Sequence, residues 1–136
     1  MTSRVVIDTC VMADIERGVL DPRRLAPYDP AMSVLTLGEL LTGLAKAKTK
    51  AEREQRTRRI SGLVRLVPVL DFSLRTAVAY AMLNAAALSK GREGQRSDML
   101  IAASAMEHGA FLLTKDRGFE RLRHISRIRV LHPRDL

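Results

Sequence analysis

Tryptophan is absent from this chain of 136 residues, and aromatic residues make up only 4% of it. The interior must therefore be built from Leu, Val, Ile, Ala and Met. Cysteine occurs once, as Cys10, which excludes an intramolecular disulfide and fits a reducing compartment. No apolar run approaches the ~20 residues of a membrane span. The opening run Val5-Val6-Ile7 is stopped by Asp8 and is also too short for a signal peptide. A cytoplasmic protein without membrane contact is the expectation. Linkers rich in Gly, Ser or Pro, internal repeats and low-complexity tracts are missing too, so residues 1–136 read as one domain.

Several chemistries lack their residues. His108, His124 and His132 show no metal-ligand spacing, which argues against zinc. Gly91 and Gly94 belong to no Walker or dinucleotide fingerprint. The start Asp8-Thr9-Cys10 lacks the second acid, two positions on, of aspartyl phosphatases. Cys10 itself reads as a small residue packed under a strand end rather than as a nucleophile.

Positive charge, by contrast, is plentiful. The net charge is +8 and the isoelectric point about 10.5, a balance that suits a polyanion such as nucleic acid. Lys46 to Arg65 holds eight basic residues against Glu52 and Glu54, and Lys115 to Arg129 holds six against two acids. Either patch alone is equally well read as a solvated helix face.

Arg4 to Ile7 has the β-branched content of a buried strand, and Ala31 to Leu35 of a second. Between them, residues 11 to 25 suggest one or two short helices, and Pro27-Tyr28-Asp29-Pro30 a loop. Thr36 opens a helix with Leu37, Leu40, Leu41 and Leu44 on one face. A charged helix over 51–65 follows, with Ile60, Leu63 and Val64 inward, then a strand over Leu66–Leu70. Residues 73 to 89 show a helical stripe of Leu74, Ala77, Val78, Ala81, Met82 and Ala85. After a basic loop over 90–96, Ser97 caps a helix from Asp98 to His108, with Met99, Ala102, Ala103 and Met106 as its stripe. A strand over Ala110–Thr114, a short helix over 117–123 and a strand over Ile128–Leu131 complete the chain. Alternating strands and helices imply an α/β fold with a central, mainly parallel sheet.

In such sheets ligands sit beyond the carboxyl ends of the strands, and four acids fall there: Asp8, Glu39, Asp98 and Asp116. Each has a structural reading as well. Asp8 can start a turn at Thr9, Thr36 and Glu39 form a capping box, Asp98 suits a helix dipole, and Asp116 can open a turn to Gly118. Singly those readings are the stronger; together the four acids favour a site, because all lie near one sheet edge. Converging carboxylates repel unless cations separate them. Oxygen ligands without His or Cys suit Mg²⁺ or Mn²⁺, which activate water and stabilise the leaving oxygen of a phosphodiester.

Four segments in order, Val5-Val6-Ile7-Asp8-Thr9, Leu37 to Gly43, Ser97 to Ala103 and Leu112 to Phe119, resemble the motifs of PIN domains. Length and helix pattern are most similar to VapC toxins of bacterial type II toxin–antitoxin systems. The resemblance implies a three-layer α/β/α sandwich and an endoribonuclease, dependent on Mg²⁺ or Mn²⁺, that acts on tRNA, rRNA or mRNA. It also implies a VapB-type antitoxin and a homodimer. It carries catalysis and metal binding onto Asp8, Glu39, Asp98 and Asp116, with Thr9 and Thr114 as supporting hydroxyls. Gly118 departs from it, since many members have a further acid immediately before the Phe; Asp116 is then expected to reach the ion through water. Arg92, Arg96, Lys115 and Arg117 flank the last two acids and are candidates for the RNA backbone. The competing functions are a non-catalytic RNA-binding PIN-like module and a nuclease that also takes DNA.

Overall fold

Val5, Val6 and Ile7 are wholly buried because β1 (Ser3–Ile7) is the middle strand of a sheet covered on both faces. The computed structural model describes residues 2–89, 91, 96–122 and 127–136. On one side of β1 lie β2 (Tyr28–Ser33) and then β3 (Val69–Leu70); on the other lie β4 (Phe111–Leu113) and β5 (Arg129–Leu131). Every pairing is parallel. Side chains alternate along β1: Val5 and Ile7 enter a core with Val11, Met12, Leu40 and Ile60, and Val6 enters a second with Leu83, Met99 and Ala102. The first core lies under α1 (Thr9–Glu16), α2 (Val34–Ala45) and α3 (Lys50–Leu66), the second under α4 (Leu74–Ser89) and α5 (Arg96–Glu107). The expected α/β/α sandwich is the result, and α6 (Gly118–Leu122) follows β4.

Local chemistry shifts three boundaries from the sequence expectations. Tyr28, Asp29 and Pro30 belong to β2 rather than to a loop. Pro30 lies opposite Val5, while β3 reaches only Met32 and Ser33, so the missing N–H falls where the outer side of β2 has no partner. The next helix opens at Val34, not Thr36: the Ser33 hydroxyl accepts from the Thr36 N–H at 3.2 Å and caps it. Leu66 ends α3 and leaves the third strand only two residues.

A larger departure concerns α4. All six residues of its expected buried stripe are exposed, Leu74, Val78 and Met82 at 83%, 56% and 64%. Thr76, Ala79, Leu83 and Ala87 face inward instead. This side is mostly small and brings α4 close to the alanine-rich α5, and Thr76 donates its hydroxyl hydrogen to Glu107 there. Leu41 and Val64 likewise remain exposed on α2 and α3.

Candidate active site

From β1 the chain steps outward to β2 and β3, then returns across β1 to β4 and β5. The strand order reverses between β1 and β4, the position at which open α/β sheets bind ligands. Asp8 leaves β1 there and caps α1; it is 5% exposed. Its Oδ1 accepts from the Thr9 N–H at 2.8 Å. Its Oδ2 accepts from the Thr114 hydroxyl at 2.6 Å and from the Cys10 thiol at 3.4 Å. Burial, first of all, keeps that thiol's pKa above its ordinary value, in accord with a packing role.

Glu39 lies in the second turn of α2 rather than the first, because Ser33 is the cap; Thr36 and Glu39 form no capping box. Loss of water around its carboxyl raises its pKa, and the charge of Asp8 adds to this. The hydroxyl of Thr9 nearby pulls the other way. The Thr9 and Thr36 hydroxyls share a hydrogen bond at 3.1 Å. Thr36, fully buried, thus ties α2 to α1 beside the site. The sequence reading assigned it to a cap; the Ser33 to Thr36 spacing was the available signal for the true one.

Asp98 stands in the first turn of α5. Its carboxyl is pushed up to about 6, first by burial and then by Asp8, Asp116 and Glu39. The four acids, from four separate segments, are therefore near enough to feel one another. Asp116 is exposed in the turn after β4. Its N–H donates to the Thr114 hydroxyl at 3.0 Å, and its Oδ1 accepts from the Gly118 N–H at 2.8 Å. The turn to Gly118 exists, and from it the charge of Asp116 is felt at Asp98.

Among the described residues no three His, Cys, Asp or Glu side chains stand as a ready-made metal cluster. The donor chemistry nevertheless fits a hard cation: carboxylates and hydroxyls, with one carboxyl raised by burial and, after it, by its neighbours' charge. Arg96 and Arg117 are exposed beside Asp98 and Asp116 and make no ion pair among the described residues. Lys115 turns instead toward α1, where its ammonium meets Asp14. Arg92 lies outside the described residues.

The sequence pattern of the PIN domain matches residues 5–125. The chain belongs to the PIN domain family. Within that family its relatives are of the VapC type. It is 32% identical to Ribonuclease VapC4 of Mycobacterium tuberculosis over 85% of this chain and 88% of that one. To Ribonuclease VapC1 of Rickettsia felis it is 28% identical over 90% and 92%. Among solved structures it is similar to VapBC-5 of Mycobacterium tuberculosis, a member of the VapBC family of toxin-antitoxin systems. That likeness has a TM-score of 0.77 at 25% identity and covers 96% of this chain and 98% of the other. As a PIN domain of VapC type, the chain keeps a Phe after the β4 turn but places Gly118 before it. A Cβ at Gly118 would meet Asp116 Oδ1 at 3.1 Å.

Proposed function

We propose that this PIN-domain chain is a Mg²⁺- or Mn²⁺-dependent endoribonuclease, the toxin of a type II toxin–antitoxin pair, built as one domain over residues 1–136. The observation that carries the reading is Asp98, whose carboxyl is raised to about 6 by burial and, after it, by the charges of Asp8, Asp116 and Glu39. Such a set favours an ion that compensates its charge, and the relatives' name supports RNA as substrate. Asp8, Glu39 and Asp98 would hold the ion, with Asp116 reaching it directly or through water. When bound, it would supply Lewis acidity toward a water and the phosphodiester, so no side chain need act as general base. Asp8 is fixed in orientation by Thr9 and Thr114. Arg92, Arg96 and Arg117 would guide the phosphate backbone.

The antitoxin is expected to be VapB-like and to silence the site with a cationic side chain, a guanidinium being suited to carboxylates. A pocket of about 210 Å³ supports an approach between α2 and α3: Leu40 and Ile60 line it, and it extends to Thr9 and Glu39. The exposed apolar face of α4 is available to the homodimer that the family resemblance implies. Cys10, the lone thiol, fits a cytoplasmic location. No described helix is long and apolar enough to cross a membrane.

The test incubates purified chain and its Asp98→Asn variant with RNA and with DNA, each with Mn²⁺ or with EDTA. Metal-dependent cleavage of RNA by the unmutated chain alone is expected. Equal cleavage of DNA would make it a general nuclease, and RNA binding without cleavage in any metal would make it a non-catalytic module.

A further inference from the structure

Asp14 is a buried carboxylate to which neither sequence pattern nor proposed chemistry gives a task. It lies on α1, six residues after Asp8, and its side chain is 11% exposed. Its Oδ2 accepts from Lys115 at 2.5 Å and its Oδ1 from Arg17 at 2.8 Å. The hydrogen bond from Lys115 is the largest cause holding its pKa below the ordinary carboxylate value. The two basic partners differ in consequence. Arg17 is the residue that caps the same helix, whereas Lys115 comes from a turn 101 residues away.

That turn is the one that carries Asp116. Thr114, on one side of Lys115, donates to Asp8; Asp116, on the other, donates its N–H to Thr114. Helix α1 thus meets this segment at both of its ends, at the first through Asp8, whose N–H also donates to the Leu113 carbonyl, and at the last through Asp14. Thr114 is held on the strand side, by Asp8 and by its own N–H on the Leu131 carbonyl, and beyond it Lys115 gives the turn a side-chain attachment to the far end of α1. That attachment restrains the turn between Thr114 and Asp116.

We propose that Asp14 is a positioning residue: by holding Lys115 it fixes the Thr114–Asp116 turn against α1, and so sets the spacing of the carboxylates that bind the cation. The proposal rests on the metal-dependent reading above. It also removes Lys115 from the RNA contacts, since an ammonium committed to a buried carboxylate is a poor counterion for phosphate.

The experiment is a double-mutant cycle with Asp14→Asn, Lys115→Met and both together. Three kinds of measurement are made on protein shown to be folded by its melting transition: hydrogen exchange of residues 114–119 without metal, Mn²⁺ binding by calorimetry, and RNA binding and cleavage at several salt concentrations. Faster exchange confined to the turn is expected in all three variants, with Mn²⁺ affinity about tenfold weaker, as for other groups that orient ligands. The double variant should be no worse than either single one, and KM for RNA should change far less than kcat at saturating RNA. Unchanged exchange overturns the fastening, whatever the protein does with metal. Faster exchange with undiminished Mn²⁺ affinity leaves a structural pair only and overturns the positioning role. A higher KM and a reduced salt slope in Lys115→Met but not in Asp14→Asn would return Lys115 to the RNA. Failure of the unmutated chain itself to bind Mn²⁺ would sink the metal reading, and the spacing role with it.

Discussion

The hydroxyl of Thr114 donates to Asp8 Oδ2 at 2.6 Å and accepts from the N–H of Asp116, so one buried oxygen orients two of the four acids. Replacing Thr114 by Val keeps its shape but leaves both groups short of a partner. We expect Thr114→Val to lower stability by about 1–3 kcal/mol and RNA cleavage by roughly 10- to 100-fold. Thr114→Ser should restore most of both. Denaturant melts together with cleavage rates decide the matter; a Val variant as active as the parent would show that the oxygen orients nothing of consequence.

Asp98→Asn should abolish cleavage yet yield a folded protein that is, without metal, more stable near pH 7.5 than the parent. The sign follows from the raised pKa, about 6 against the ordinary 3.8. Between those values the folded protein holds a proton that the unfolded chain has lost. Stability therefore falls as pH rises through that window and stays level above it. With solvent screening allowed for, the cost at neutral pH is roughly 1–2 kcal/mol. The advantage of the variant should vanish near pH 4. Melting curves at the two pH values test this, and equal melting temperatures at pH 7.5 would argue against a repelling cluster.

Addition of Mn²⁺ should reverse that order. An ion held by the acids stabilises only the folded parent, by about 2.7 kcal/mol at a hundred times its Kd. The melting temperature of the parent should climb with Mn²⁺ and return on addition of EDTA, while Asp98→Asn responds weakly. A parent indifferent to both additions would remove the metal from the proposal.

Arg96 and Arg117 are exposed next to Asp98 and Asp116. Neutralising either to Ala should weaken RNA binding and reduce the slope of log affinity against log salt by about 0.7, one phosphate's worth on a single strand. Binding isotherms at four salt concentrations are sufficient. A variant with the parental slope does not contact phosphate at that position.

In cells, the unmutated chain expressed alone should arrest growth. Asp8→Asn, or co-expression with the adjacent gene if that encodes the antitoxin, should relieve the arrest. Growth curves at matched soluble yield give the answer, and harmless expression of the parent would end the toxin assignment.

The placement of Asp8 and Asp116 was legible because it depends on where strands stop, and strand ends are marked locally: Ile7 is followed by Asp8 and Leu113 by Thr114. The inward face of α4 was not. Alanines surround that helix, so periodicity picked out its largest residues, Leu74, Val78 and Met82, as core. Packing against α5 rewarded close approach instead, which selects Ala79 and Ala87 and leaves the bulky side chains outside. Pro30 misled for a related reason: its effect depends on which neighbours flank β2, and that is a property of the sheet rather than of the segment. The Asp14–Lys115 pair, formed across most of the chain, had no local signature at all.

Gly118 makes positions 116 and 118 epistatic. A side chain there would press on the oxygen that Asp116 uses to close its own turn, with only 3.1 Å between Cβ and Oδ1. An acid grafted at 118, to imitate relatives that carry one, would not simply enlarge the cluster. Asp116 Oδ1 would have to give way by a few tenths of an ångström to admit it, so the graft disturbs one carboxylate position as it adds another, and its effect should differ when residue 116 is already Ala.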